Sequence, residues 1–206
     1  MDKRIMVDDT SLNNFVFFQY KPFKGKELIK YSLSTMGAAA VFFVWHKGSS
    51  KALFLLVLSV ICVFAYSFSF VFCKDSPKSR FISDGIAFSF FAIMLNLESS
   101  QLLGAKGQKW ISTLFLILLI ISAIIYILIS ISNIKHNTYA GNASAPVLTS
   151  LLGSTIGYLG AILFLPSVSQ SAAEKIIAFL LLALSLMVNA GVVSFLKLFY
   201  YCKMRE

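Results

Sequence analysis

The chain has 206 residues, of which 58% are apolar, 15% aromatic and 13% charged, and its mean hydropathy is +0.80. A water-soluble domain carries about 25% charged residues, so this composition excludes a chain bathed by water on all sides and makes the bilayer the solvent to reason with. The net charge of +9 does not indicate nucleic acid as a partner, because the 18 Lys and Arg residues sit between apolar runs or at their edges, where they set orientation and meet anionic lipid headgroups.

Residues 1–28 read as a leader, not a domain. They open with mixed charges and contain no apolar core ahead of a cleavage site, so they are expected to stay on the mature chain. The stretch FVFFQYKPFKGKELIKY interleaves aromatics with lysines. That pattern suits a segment at headgroup level, rings inward and amines outward, and it equally suits a short ordered lead into the first span.

Six apolar runs then approach the roughly 20 residues that cross about 30 Å of hydrocarbon: 29–46, 52–73, 81–103, 110–134, 146–168 and 175–197. They predict an all-α polytopic membrane protein, a six-helix transmembrane bundle over residues 29–198 with short loops, followed by a basic tail at 199–206. The second and fourth runs are the clearest, being free of charge throughout. The third is the weakest: Asp84 and Glu98 bound an uncharged core of 13 residues, about 20 Å as a helix. A re-entrant or interfacial segment is the alternative there.

Three features of the third run concern chemistry. Arg80 and Asp84 are four residues apart and can meet on one helix face near an interface. Glu98 has no oppositely charged residue on its own helix face; it either reaches water, pairs with Lys106 or Lys109, or turns inward, where it is the best candidate for coordinating a proton or cation. Asn96 is an amide set within a span, as is Asn189 in the last run, where Ser185 precedes it by one turn on the same face. An amide in hydrocarbon needs a partner on another helix, so interhelical hydrogen bonds are expected, with the lining of a solute path as the alternative.

In the fifth run, APVLTSLLGSTIGYLGA places Ala145, Thr149, Gly153, Gly157 and Ala161 at strict four-residue intervals. Small residues so spaced let two helix backbones approach closely in lipid, which predicts a packing ridge with a GxxxG centre and a central position for this helix. Ser150, Ser154 and Tyr158 form an adjoining strip of hydroxyls. Pro146 suits a first helical turn, and Pro166 terminates or kinks the helix. In the last run, Glu174 favours a helix start.

With six crossings, the N-terminal segment, the second and fourth loops and the tail put thirteen Lys and Arg residues on one side and leave five on the other. Both termini are therefore expected in the cytoplasm, which makes the Asn142 sequon a chance match. The excess of Lys over Arg and the abundance of Ile, Phe and Ser suggest an AT-rich coding sequence and a bacterial inner (plasma) membrane. Catalytic constellations are absent: there is no HExxH, P-loop or GxSxG with matching partners. Cys62, Cys73 and Cys202 show no CxxC or Cys/His spacing, and His46 and His136 fall at span ends on opposite sides. No cofactor, metal or enzymatic activity is expected. The leading expectation is a protein acting through helix–helix contacts with another membrane protein or a second copy, as a subunit of an assembly or a neutraliser of a membrane-acting partner. The alternative is a small oligomeric transporter or channel.

Overall fold

The computed structural model describes residues 9–18, 20–47, 49–73, 76–104, 109–140 and 170–205. The fifth apolar run lies outside these residues, and so do the ridge Ala145, Thr149, Gly153, Gly157 and Ala161, its neighbouring hydroxyls and its expected central packing. The described elements are helical: α1 (Asp9–Phe17), α2 (Gly25–Trp45), α3 (Ser50–Phe72), α4 (Pro77–Gly104), α5 (Lys109–Lys135), a 3-10 turn (Thr138–Ala140), α6 (Gln170–Val188), a second 3-10 turn (Asn189–Val192) and α7 (Val193–Lys203). Among the described residues five stretches are long and apolar enough to cross a membrane, the last running through α6 and α7 as Ala172–Lys203. The chain is a multi-pass helical membrane protein.

Local chemistry sets the boundaries. Lys47 takes the left-handed conformation that commonly ends a helix, with φ 49°, and Ser49 then caps α3 by accepting from the Ala52 N–H at 3.3 Å. Pro77 opens α4 at the position where a missing N–H costs least, while Ser76 Oγ accepts from the Lys78 N–H at 3.3 Å. The weakest run of the sequence thus becomes one unbroken helix of 28 residues.

That helix is the hub. α4 packs against α2 and α3 on one side and against α5, α6 and α7 on the other, and its most extensive contact is with α6. By contrast, α3 buries only Ala52, Leu55, Ser59, Cys62, Tyr66 and Ser69, a stripe alternating three- and four-residue steps, which is the narrow seam that faces α2 and α4, its neighbours among the described helices. The α2–α3–α4 core centres on Phe42, Leu55, Tyr66, Ala87 and Phe90.

Helix directions follow from paired contacts. α4 and α6 run antiparallel, since Ser99 meets Ala178 and Ala92 meets Ser185. α5 runs parallel to α6, because Asn96 reaches Phe115 while the later Asn189 reaches Leu119 and Ser122. The end of α5 and the beginning of α6 therefore lie at opposite ends of the bundle.

The described part of the leader begins with α1, which sends two apolar side chains into the bundle. Phe15 and Val16 of α1 are fully buried, in a cluster with Phe81, Ile134 and Tyr201 drawn from α4, α5 and α7. Edge-on rings join Phe15 to Tyr200 and Phe17 to Tyr201, so the first and last described helices close the same end of the bundle.

Candidate functional site

The polar groups inside the bundle sort into a buried seam along one side of α4 and two clamps of titratable side chains along the other. In the seam, Ser99 Oγ donates to the Ala178 carbonyl at 2.6 Å, and Ser185 Oγ donates to the Ala92 carbonyl at 2.7 Å. Donors and acceptors are exchanged between α4 and α6 across two helical turns, and all four residues are buried. Asn96 Nδ2 donates to the Phe115 carbonyl at 3.0 Å. Asn189 Nδ2 donates to the Leu119 carbonyl at 2.8 Å and to Ser122 Oγ at 2.7 Å. Each amide thus satisfies itself on a neighbouring helix, as hydrocarbon requires, although Asn96 Oδ1 has no partner among the described residues.

Glycine completes this seam. A Cβ on Gly191 would stand 2.0 Å from Phe88 Cβ, and one on Gly85 would stand 2.7 Å from the Phe195 ring. Among the described residues, close approach occurs between α4 and the last span, through Gly85, Ala92, Ser99, Ala178, Ser185 and Gly191. The 3-10 turn at Asn189–Val192 falls where Asn189 reaches α5 and Gly191 meets Phe88.

Toward α2 the chemistry differs. Arg80 Nε donates to Asp84 Oδ2 at 2.7 Å, the pair expected from their spacing. Tyr31 of α2 donates its hydroxyl to Asp84 Oδ1; Arg80 also lies 3.9 Å from Glu27 and 5.7 Å from the centre of the Tyr31 ring. Fourteen residues along α4, Glu98 Oε2 meets His46 Nε2 at 2.5 Å. Both groups are half-buried. The sequence offered Glu98 water, Lys106 or Lys109, yet its described partner is on another helix. What was overlooked is a stripe on α2: Tyr31, Thr35, Ala39, Phe42 and His46 recur at helical spacing and form its protein-facing side. Thr35 and Tyr66 share a hydroxyl contact of 3.2 Å, as do Ser69 and Ser83.

Between the clamps, α2 and α4 separate around a groove of about 370 Å³ with almost wholly apolar walls, lined by Gly37, Ala38, Val41, Phe42, Trp45, Met94, Leu95 and Glu98. A Cβ on Gly37 would meet nothing within 4 Å. At the end of the bundle closed by α1, a smaller pocket of about 50 Å³ has mostly polar walls that include Tyr20, Lys21, Arg80, Asp84 and Lys197. Burial raises the Tyr20 hydroxyl above its ordinary pKa and Tyr201 adds to the effect, with Arg80 opposing it, so Tyr20 stays a neutral donor at pH 7.

Among the described residues, no three His, Cys, Asp or Glu side chains gather into a group able to hold a metal ion. Asn96, Ser185 and Asn189 belong to the seam, whereas Arg80, Asp84 and Glu98 belong to the clamps; Glu98 lines the groove and Arg80 with Asp84 the polar pocket, and no seam residue lines either. No family model, no curated protein and no solved structure matches the chain.

Proposed function

We propose that this chain is a non-enzymatic membrane protein that works through helix–helix contacts, as a subunit of a membrane assembly or as a neutraliser of a membrane-acting partner. The observation that carries this reading is the groove between α2 and α4. It is apolar, has small residues in its wall, and leaves room at Gly37 that no side chain among the described residues uses. In lipid, shape and small residues bring helices together, since hydrophobicity does not distinguish a neighbouring helix from an acyl chain. The seam supports the reading from the other side: the amide nitrogens of Asn96 and Asn189 and the hydroxyls of Ser99 and Ser185 are engaged in interhelical hydrogen bonds.

The experiment is co-purification from native membrane in mild detergent, comparing the wild type with Gly37→Leu. A stoichiometric membrane partner that is lost in Gly37→Leu, while the variant keeps its melting temperature, is the expected result. Recovery of the wild type as a bare monomer or a symmetric homo-oligomer contradicts it. One contact favours a second reading, a small transporter coupled to protons or cations: Glu98 against His46 at the edge of the groove. A flux that appears with the wild type in liposomes and disappears with Glu98→Gln would select that reading.

We further propose six crossings with both termini in the cytoplasm of a bacterial inner membrane. The support is that α5 and α6 run parallel, so the chain between them must return across the bundle, and that the Lys and Arg residues favour the end where α1 and α7 meet. Cys73 and Cys202 lie at that end and are partly exposed, whereas Cys62 is buried. A membrane-impermeant maleimide should label the first two only after the cells are permeabilised; labelling of intact cells reverses the orientation.

A further inference from the structure

The small polar pocket at the α1 end carries an excess of positive charge among the described residues that line it. Its walls include Lys21, Arg80 and Lys197 against a single carboxylate, Asp84. Both Asp84 oxygens are engaged, Oδ2 by Arg80 Nε and Oδ1 by the Tyr31 hydroxyl. Glu27 lies 3.9 Å from Arg80 but does not line the pocket.

Lys197 is the informative residue. Its ammonium donates to the Phe18 carbonyl at 2.9 Å and lies 5.7 and 5.8 Å from the ring centres of Phe15 and Phe18. An ammonium has three donors, and Lys197 makes no other hydrogen bond among the described residues. A half-buried cation surrounded by a carbonyl and two rings is poorly compensated for its lost hydration. An anion in the pocket supplies what is missing.

We propose that this pocket is an oxyanion site that takes one phosphate group, presented by an anionic lipid headgroup or as a free phosphate ion. Its lining residues carry several donors of the kind an oxyanion takes: the ammonium groups of Lys21 and Lys197, the Arg80 guanidinium, and the hydroxyls of Tyr20 and Ser194. They come from three parts of the chain, the segment after α1, α4 and α7, which suits a tetrahedral anion with acceptors in every direction. A water needs about 10–15 Å³, so about 50 Å³ holds a few waters or one small oxyanion. Lys21 is exposed at the rim and marks the way in.

This goes beyond the helix-contact reading and does not depend on it. The test is native mass spectrometry of the full chain after reconstitution in neutral phosphatidylcholine with a minority of phosphatidylglycerol, alongside titration with inorganic phosphate in neutral lipid alone. Retention of phosphatidylglycerol by the wild type, lost with Lys197→Gln and restored with Lys197→Arg, identifies a lipid headgroup. Saturable phosphate binding in neutral lipid with the same dependence identifies the free ion. Each loss should be about tenfold in affinity, as for one charge-assisted contact. Should Lys197→Gln fail to fold, Lys21→Gln at the exposed rim serves the same comparison. The proposal is overturned if the folded variants bind phosphatidylglycerol and inorganic phosphate as well as the wild type does, or if the wild type binds neither.

Discussion

The two sides of α4 solve the same problem, holding a helix in lipid, in opposite ways. Toward α6 the backbones close up on Gly85, Ala92, Ser99, Ala178, Ser185 and Gly191, and each buried hydroxyl of the seam finds a carbonyl on the other helix. Toward α2 the helices are joined near their ends by titratable groups, Tyr31 with Asp84 and His46 with Glu98, and part between them to leave a groove. A seam of small residues leaves little room to slide, because Ser99 and Ser185 bond to backbone carbonyls across it and Gly191 stands against the root of the Phe88 side chain. A joint clamped by polar groups can open by exchanging partners. The α4–α6 side is thus the closely packed frame among the described helices, and the α2–α4 side is the one that leaves a groove.

The comparison breaks most severely at Gly191. A Leu there places its Cβ on Phe88 Cβ, and overpacking of this kind costs about 3 kcal/mol or more. Gly191→Leu should abolish the monodisperse peak in detergent gel filtration; a wild-type melting temperature would show that the seam is not the frame. Asp84→Asn is expected to come next, at about 2 kcal/mol, because Arg80 loses its charge-assisted acceptor. Thermal unfolding in detergent measures it, and Asp84→Glu should recover part of the loss if the clamp is what was removed. Asn189→Ala should cost less, about 1 kcal/mol, the range found for interhelical hydrogen bonds in lipid. A cost equal to that of Gly191→Leu would mean that the amide, not the close approach, holds the seam. The smallest effect on the fold belongs to Gly37→Leu, which fills open space and should leave the melting temperature within a degree or so of wild type, since a surface change away from special features is usually worth under about 0.5 kcal/mol.

Low hydropathy does not by itself make a span peripheral or central, since α2 matches α4 in hydropathy and α5 in burial, but the contrast of α4 with α5 is instructive. α5 is the most apolar span, with a mean hydropathy of 3.1 and 17% of its window buried, whereas α4 has a mean hydropathy of 1.4 and 39% buried. A helix with lipid on most sides must be apolar on most sides. One surrounded by protein can carry Ser, Asn, Asp and Glu, because neighbouring helices supply their partners. The run that looked weakest as a span is for this reason the one at the centre.

Sequence alone determined the class of the protein, the positions of the described spans to within a few residues at most of their ends, and the Arg80–Asp84 pair. These depend on bilayer thickness and on spacing within one helix, which are local properties of the chain. It also marked Asn96, Ser185 and Asn189 as groups needing partners on other helices, since an amide or hydroxyl in hydrocarbon has few alternatives. Tertiary structure alone decided which partners they take: Phe115, Ala92 and Leu119 with Ser122. It likewise decided that Glu98 meets His46, that Lys197 stands over two rings beside Arg80, and that close packing runs along Gly85 and Gly191. Partners far apart in the chain are chosen by which helices become neighbours and how they are rotated, and no spacing within a single helix encodes that.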